Sequence, residues 1–264
     1  MSDSDDARES LAEGSLISHL MELRDRLLRA VIAIFVLFIP CAYFSDRLFT
    51  LVALPLIEKM PQGTSMIATS ITAPFMAPLK LALLAAVFLA MPYVLFQTWS
   101  FVAPGLYRHE KRFAIPLMLS SIVLFYAGVA FAYFVVFPLM FAFLTGAAPQ
   151  GVQVMTDMSN YLDFVLLLFF AFGVAFEIPI ATVLLASTGL VRLETMTKNR
   201  GYVILGIFIV AAFLTPPDAL SQSFMAVPMY ILYELGIVMS RVLLKNRLAR
   251  ESSPENNKEQ SANN

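Results

Sequence analysis

The sequence is poor in the residues from which catalytic centres are built. Its 264 residues include one cysteine and two histidines, so neither a disulfide within the chain nor a cysteine zinc site can form. Cys41 lies inside an apolar run and reads as a small buried residue. Lys, Arg, Asp and Glu make up only 14% of the chain, where a soluble domain carries about 25%. No Gly-x-Ser-x-Gly and no phosphate-cradling Gly-x-x-x-x-Gly-Lys is found. His109-Glu110-Lys111-Arg112-Phe113 places Phe113 where a zinc helix needs its second histidine. The expectation is a protein that is not an enzyme, takes no metal or cofactor and binds no nucleic acid. The acidic start, Met1 to Gly14, lacks the basic region of a signal peptide, so insertion is left to the apolar runs themselves.

Those runs dominate the chain. It is 59% hydrophobic, with a mean hydropathy of +0.75, and reads as an all-α integral membrane protein. A hydrocarbon core of ~30 Å takes about 20 helical residues. By that yardstick the spans are Leu27 to Phe44, Phe75 to Phe96, Ala114 to Leu144, Tyr161 to Leu185, Tyr202 to Leu214 and Ala219 to Leu243. Backbone groups in such a core must pair within their own segment, which makes the six spans helices. Arg24, Arg26 and Arg29 open the first span. Arg108, Lys111 and Arg112 join the second to the third, Arg192, Lys198 and Arg200 join the fourth to the fifth, and Arg241 to Lys258 follow the sixth. Only Arg47, Lys59 and Lys80 fall on the other side, so both termini are expected in the cytoplasm.

Prolines at Pro40, Pro92, Pro116, Pro138, Pro179 and Pro228 predict a kinked bundle. The fifth span is stopped by Pro216-Pro217, and the sixth begins with polar Ser221-Gln222-Ser223, so both are expected to be short. The outer connection Ser45 to Pro74 contains an apolar segment, Leu48 to Ile57, broken at Pro55 and expected to cap the bundle as a packed surface helix. Gly146 to Asn160 is a weaker second cap. The organisation is an acidic N-tail over 1–15, a six-helix core over 16–247 and a polar, disordered tail over 248–264.

The candidate residues are carboxylates at unusual places. Glu22 lies on an amphipathic helix with Leu16, Leu20, Leu23 and Leu27 on its apolar side and Arg26 four residues on. It is either a solvated surface ion pair or one of two carboxylates, with Glu110, on one membrane face. Glu110 opens the third span, where the helix dipole also favours a carboxylate. Together the two suit paired guanidinium groups, which bind carboxylates in a bidentate fork that lysine lacks. Glu177 falls deep in the fourth span, where a charge costs on the order of 3 kcal/mol. It either faces a cavity or partner, or is protonated and bonded to a carbonyl that Pro179 frees. Asp218 fits the N-cap of the sixth helix, and Glu234 is placed to reach the Arg241 end of that helix. With Asp163, Glu177 also fits the relay of a proton-coupled small-solute transporter, although no repeat between halves is apparent.

Five stretches, in order, resemble the TatC family, the multispanning core of the twin-arginine protein translocase. They are His19-Leu20-Met21-Glu22-Leu23-Arg24-Asp25-Arg26-Leu27, Trp99-Ser100-Phe101 through Pro104-Gly105-Leu106-Tyr107 to Glu110, Phe172-Gly173 with Phe176-Glu177-Ile178-Pro179, Leu214-Thr215-Pro216-Pro217-Asp218, and Leu232-Tyr233-Glu234. The resemblance runs from about Leu16 to Arg247. It implies a cup-shaped, six-helix receptor in the bacterial cytoplasmic (inner) membrane that binds twin-arginine signal peptides. Such a receptor works with TatA and TatB, assembles with copies of itself in contact with lipid, and exports folded proteins using the proton motive force. Glu22 and Glu110 match the family's acidic positions for the arginine pair, and Phe101 matches an aromatic beside them. Pro55 matches a structural proline of the first outer loop, Glu177 the intramembrane glutamate, and Asp218 the acidic residue before the last helix.

Overall fold

In a computed structural model the structure describes residues 3–57, 66–106, 111–146, 156–215 and 218–251, with side chains omitted at 3–17, 55–57, 102–106, 111–114, 144–145 and 246–251. The described residues are helical apart from short connections and one isolated bridge. The helices are α1 (Asp3–Tyr43), α2 (Ser45–Ile57), α3 (Ala73–Leu106), α4 (Lys111–Phe131), α5 (Phe137–Gly146), α6 (Met158–Ala175), α7 (Ile178–Ser187), α8 (Leu193–Lys198), α9 (Arg200–Leu214) and α10 (Ala219–Glu251). A π-helical turn, Ala132–Val136, joins α4 to α5.

Five segments among the described residues are long and apolar enough to cross a membrane: Ser18–Tyr43, Ala73–Phe101, Ile115–Phe143, Met158–Ser187 and Ala219–Lys245. The fifth predicted span is α9, whose 15 residues reach only about 22 Å at 1.5 Å per residue. The last helix departs from expectation. At 33 residues α10 is long, because its polar start and basic end extend the helix beyond the apolar stretch rather than ending it. It runs to Glu251, so the tail expected from 248 begins inside it, and residues 252–264 lie outside the described residues.

The regular winding is interrupted at two of the six prolines flagged from sequence. Helices run through Pro40, Pro92, Pro116 and Pro228, whereas the third span changes winding just before Pro138 and the fourth breaks just before Pro179. Both prolines then sit in the first turn of a new helix, where a missing N–H costs little.

The chain divides into two compact units. In the first, drawn from Met1–Leu54, Met66–Ile122 and Thr156–Leu162, α1 packs along α3. Ala82, Ala86 and Ala90 recur every four residues on α3 and are fully buried. Cys41 joins Ala82 and Ala86, with Ile34, Leu37, Phe38 and Leu48 packed round them. Small side chains at such a seam let two helices approach closely in a membrane. The outer segments are tied together as well: Ile67 bridges Asp157, and the Tyr161 hydroxyl donates to the Val52 carbonyl at 2.8 Å. The predicted cap helix is α2, which continues to Ile57, past Pro55.

In the second unit α10 packs on α7, α8 and α9. Gly236 of α10 lies where a Cβ would stand 2.9 Å from Pro179 Cα and from Thr182 Cβ, so the helices touch there through glycine. Tyr233 closes the α8 end by donating to the Met196 carbonyl at 2.9 Å.

Candidate functional site

One face of α1 meets one face of α3 where the apolar segment of the former, Ser18–Tyr43, begins and the latter ends. His19 and Arg26 are two turns apart on α1, with Glu22 between them; Gln97 and Phe101 are one turn apart on α3. Arg26 donates to Glu22 Oε1 from both Nε (2.9 Å) and Nη2 (2.6 Å). Its remaining terminal nitrogen, Nη1, donates to Gln97 Oε1 at 3.3 Å. The Glu22 side chain is 40% exposed and that of Arg26 23%, while Gln97 is 6% exposed. His19 stacks on Phe101, ring centroids 4.2 Å apart and planes 16° from parallel. The alanine seam farther along α3 sets this approach, since it continues at helical spacing into Gln97 and Phe101.

The predicted Glu22–Arg26 pair is therefore present, and more than a pair. Both arginine bonds converge on Oε1, and among the described residues no donor reaches Oε2. A carboxylate has about four lone-pair positions, and on Glu22 the forked guanidinium of Arg26 takes those of Oε1. The neighbouring Arg24–Asp25 contact, 2.8 Å, is an exposed pair of adjacent residues. Glu110 lies outside the described residues, as does the Pro55 side chain.

Glu177 occupies the break in the fourth span. The Phe176 N–H still bonds to Phe172 O, but the Glu177 N–H turns to Val174 O, and α7 starts at the next residue. Glu177 is thus the N-cap position of α7, although its carboxylate makes no capping bond. Oε1 is buried at the positive end of a helix whose residues Pro179, Ile180, Thr182, Val183 and Ala186 are buried. The break is packed tightly: Phe131 contacts the rings of Phe172 and Phe176, and Gly128 lets α4 approach Phe172 O. Asp163, the other relay carboxylate considered, is exposed.

Asp218 is the N-cap of α10, accepting from the Ser221 N–H at 2.7 Å. Those Ser221 bonds hold its carboxyl below the usual aspartate range. Glu234 does not reach the Arg241 end. It takes Arg200, the first residue of α9, with Nη2 donating to Oε2 at 2.9 Å and Nε 2.7 Å from Oε1, and it accepts from the Tyr230 hydroxyl at 2.8 Å. A donor 34 positions away in sequence is not legible from helix spacing, whereas Arg241 is.

Two further residues, neither marked by charge pairing within its own helix, hold opposite ends of the first unit. Gln97 is one, a polar residue inside the apolar run before Trp99. Asp157 is the other: Oδ1 accepts from the N–H groups of Ser159 and Asn160, capping α6, and Oδ2 accepts from the Thr69 N–H and hydroxyl. These bonds, the Thr69 hydroxyl foremost, hold its carboxyl down at about 2. The Asp-x-Ser-Asn run before an apolar segment is the N-cap signal that marks it.

Residues 18–228 match the model of the family described as Sec-independent protein translocase protein (TatC). The chain belongs to the TatC family. It is 56% identical over 222 residues to the TatC of Azotobacter chroococcum mcd 1, covering 84% of this chain and 87% of that one. Identity to the TatC of Escherichia coli (strain K12) is 50% over 236 residues, 89% and 92% of the two chains. Two crystal structures of the twin arginine translocase receptor TatC, the second in DDM, share the fold with TM-scores of 0.77 and 0.78 at 37% identity. They cover 85% and 84% of this chain and 98% and 99% of their own. The matched TatC region contains Glu22, Pro55, Phe101, Glu110, Glu177 and Asp218, and ends at Pro228 inside α10. As a TatC-family chain this is a multispan component of a Sec-independent protein translocase, and the small-solute transporter alternative finds no counterpart among these relatives.

Proposed function

We propose that this chain is the receptor for twin-arginine signal peptides and the core subunit of a Tat translocase, exporting folded proteins across the bacterial cytoplasmic membrane on the proton motive force. The observation that carries this reading is Glu22: its carboxylate already accepts a forked guanidinium, is 40% exposed, and stands on the helix face whose His19 stacks on Phe101. Glu22 and Glu110 each take one signal arginine, and Phe101 packs against the adjoining residues. Both termini lie in the cytoplasm with the basic connections, which puts Glu22 and Glu110 on the side from which substrates arrive.

The remaining roles follow the same reading. Glu177, carried to the head of α7 by the break in the fourth span, receives the apolar part of the signal or a polar group of a partner helix. The short α9 with α10 docks the single-span TatA and TatB, Pro55 and Asp218 shape the outer face, and further copies of the chain and lipid complete the complex. The core over 16–247 carries these functions, with the 1–15 and 248–264 tails cytoplasmic.

The test is export of a folded reporter bearing a twin-arginine signal, in cells whose own TatC is replaced by this chain. The wild-type chain supports export and the Glu22→Ala/Glu110→Ala double variant, present at equal level in the membrane, does not. Full export by the double variant contradicts the proposal.

A further inference from the structure

We propose that Arg26 is an internal stand-in for a signal arginine: it occupies Glu22 while the site is empty, and an incoming guanidinium displaces it onto Gln97. This rests on the receptor reading of Glu22. Arg26 brings to Oε1 the same forked group a peptide arginine would bring, through Nε and Nη2 together. It is held rather than solvated, being 23% exposed. Its third contact shows where it goes. Gln97 Oε1, 3.3 Å from Nη1, is a neutral acceptor fixed on a different helix, and a shortening of that bond keeps the displaced guanidinium from being left without a partner.

Phe101 is covered in the same way. His19, seven residues before Arg26 and so on the same face of α1, lays a flat ring on it at 4.2 Å. Both described members of the site are thus occupied by side chains of α1, of the chemistry a peptide would supply. Binding is then an exchange of charged hydrogen bonds for charged hydrogen bonds. The net affinity is the difference between the two, which makes it moderate and the peptide releasable. A receptor that must let its signal go needs such an arrangement, whereas an open carboxylate would hold the peptide by the full strength of a charged pair.

The experiment measures affinity of the purified full-length chain for a synthetic twin-arginine signal peptide and for its Lys-Lys counterpart. Arg26→Gln and Arg26→Lys both empty the fork from Oε1, and each is expected to bind the twin-arginine peptide roughly three- to tenfold more tightly than wild type. Gln97→Leu is expected to weaken binding when Arg26 is present and to change nothing in the Arg26→Gln background. If Arg26 merely repels the peptide's charge, Arg26→Lys will bind as wild type does, and the proposal is wrong. Equal effects of Gln97→Leu in both backgrounds, or weaker binding by both Arg26 variants, overturn it too. Failure of the underlying receptor reading looks different: wild type would then not prefer Arg-Arg to Lys-Lys, and Glu22→Ala would have no effect.

Discussion

Glu22 and Arg26 sit four residues apart on a helix, and on an open surface such a pair is worth only a few tenths of a kcal/mol. What changes its meaning is Gln97, an uncharged acceptor on another helix that fixes the arginine in place. The spacing of the pair could be read from sequence; the acceptor could not, because 71 residues separate it from Arg26. Glu234 teaches the same lesson. Its partner is Arg200 of α9, so the half-exposed pair ties α9 to α10, and pairs of that kind are worth up to about 1 kcal/mol. Arg200→Leu is expected to lower the thermal unfolding midpoint in detergent by a few degrees, with part of the loss recovered when Glu234→Leu is added. No recovery would mean that the arginine acts through packing alone. Asp157 carries a pH dependence of definite sign. Its folded carboxyl sits at about 2 against an ordinary 3.8, so protonation opposes the folded form. The contribution is complete above about pH 4 and is lost as pH falls through about 2. Asp157→Asn is therefore expected to unfold at lower temperature than wild type at pH 6, with the gap closing as pH approaches 2. A gap that stayed constant with pH would assign the residue's effect to something other than its charge.

At the scale of helices, the seam between α1 and α3 governs the site. Ala86 is fully buried between them, and extra methylenes in such a place cost about 1–3 kcal/mol. Ala86→Leu is expected to part the helices enough to loosen the His19–Phe101 stack and the Arg26–Gln97 bond, weakening peptide binding without touching either contact. Unchanged affinity in a correctly inserted Ala86→Leu chain would detach the site from the seam. The spans themselves were legible because a run of about 20 apolar residues has few other uses. The site of the break in the fourth span was less so. Six prolines look alike in the sequence, yet helices run on through Pro40, Pro92, Pro116 and Pro228, and winding changes before Pro138 and Pro179. Packing decides between these outcomes: at Pro179 the helix of the next segment is locked against Gly236, and the turn before it holds Glu177. The length of α10 exceeds the expectation for a related reason, since polar residues end an apolar stretch without ending a helix.

For the whole molecule, charge is segregated by connection rather than by domain, and the proposed function takes that pattern to put both glutamates of the proposed site on one side of the membrane. Membership of the TatC family agrees with a chain whose long spans leave room for few ionisable groups. The family is legible from motif order, and the same motifs single out Glu22, Phe101, Glu177 and Asp218 as the residues the proposal rests on. Their partners are not legible, because partners come from helices distant in sequence. The most direct test of the receptor reading is equilibrium binding of a twin-arginine signal peptide to the purified chain, wild type against Glu22→Ala and Glu110→Ala, with a Lys-Lys peptide alongside. Two charged hydrogen bonds at stake predict that each variant loses roughly 10- to 100-fold in affinity, and that the Lys-Lys peptide binds wild type weakly. Equal affinity across both variants and both peptides would contradict the account and return Glu22 to an ordinary ion pair on a helix surface.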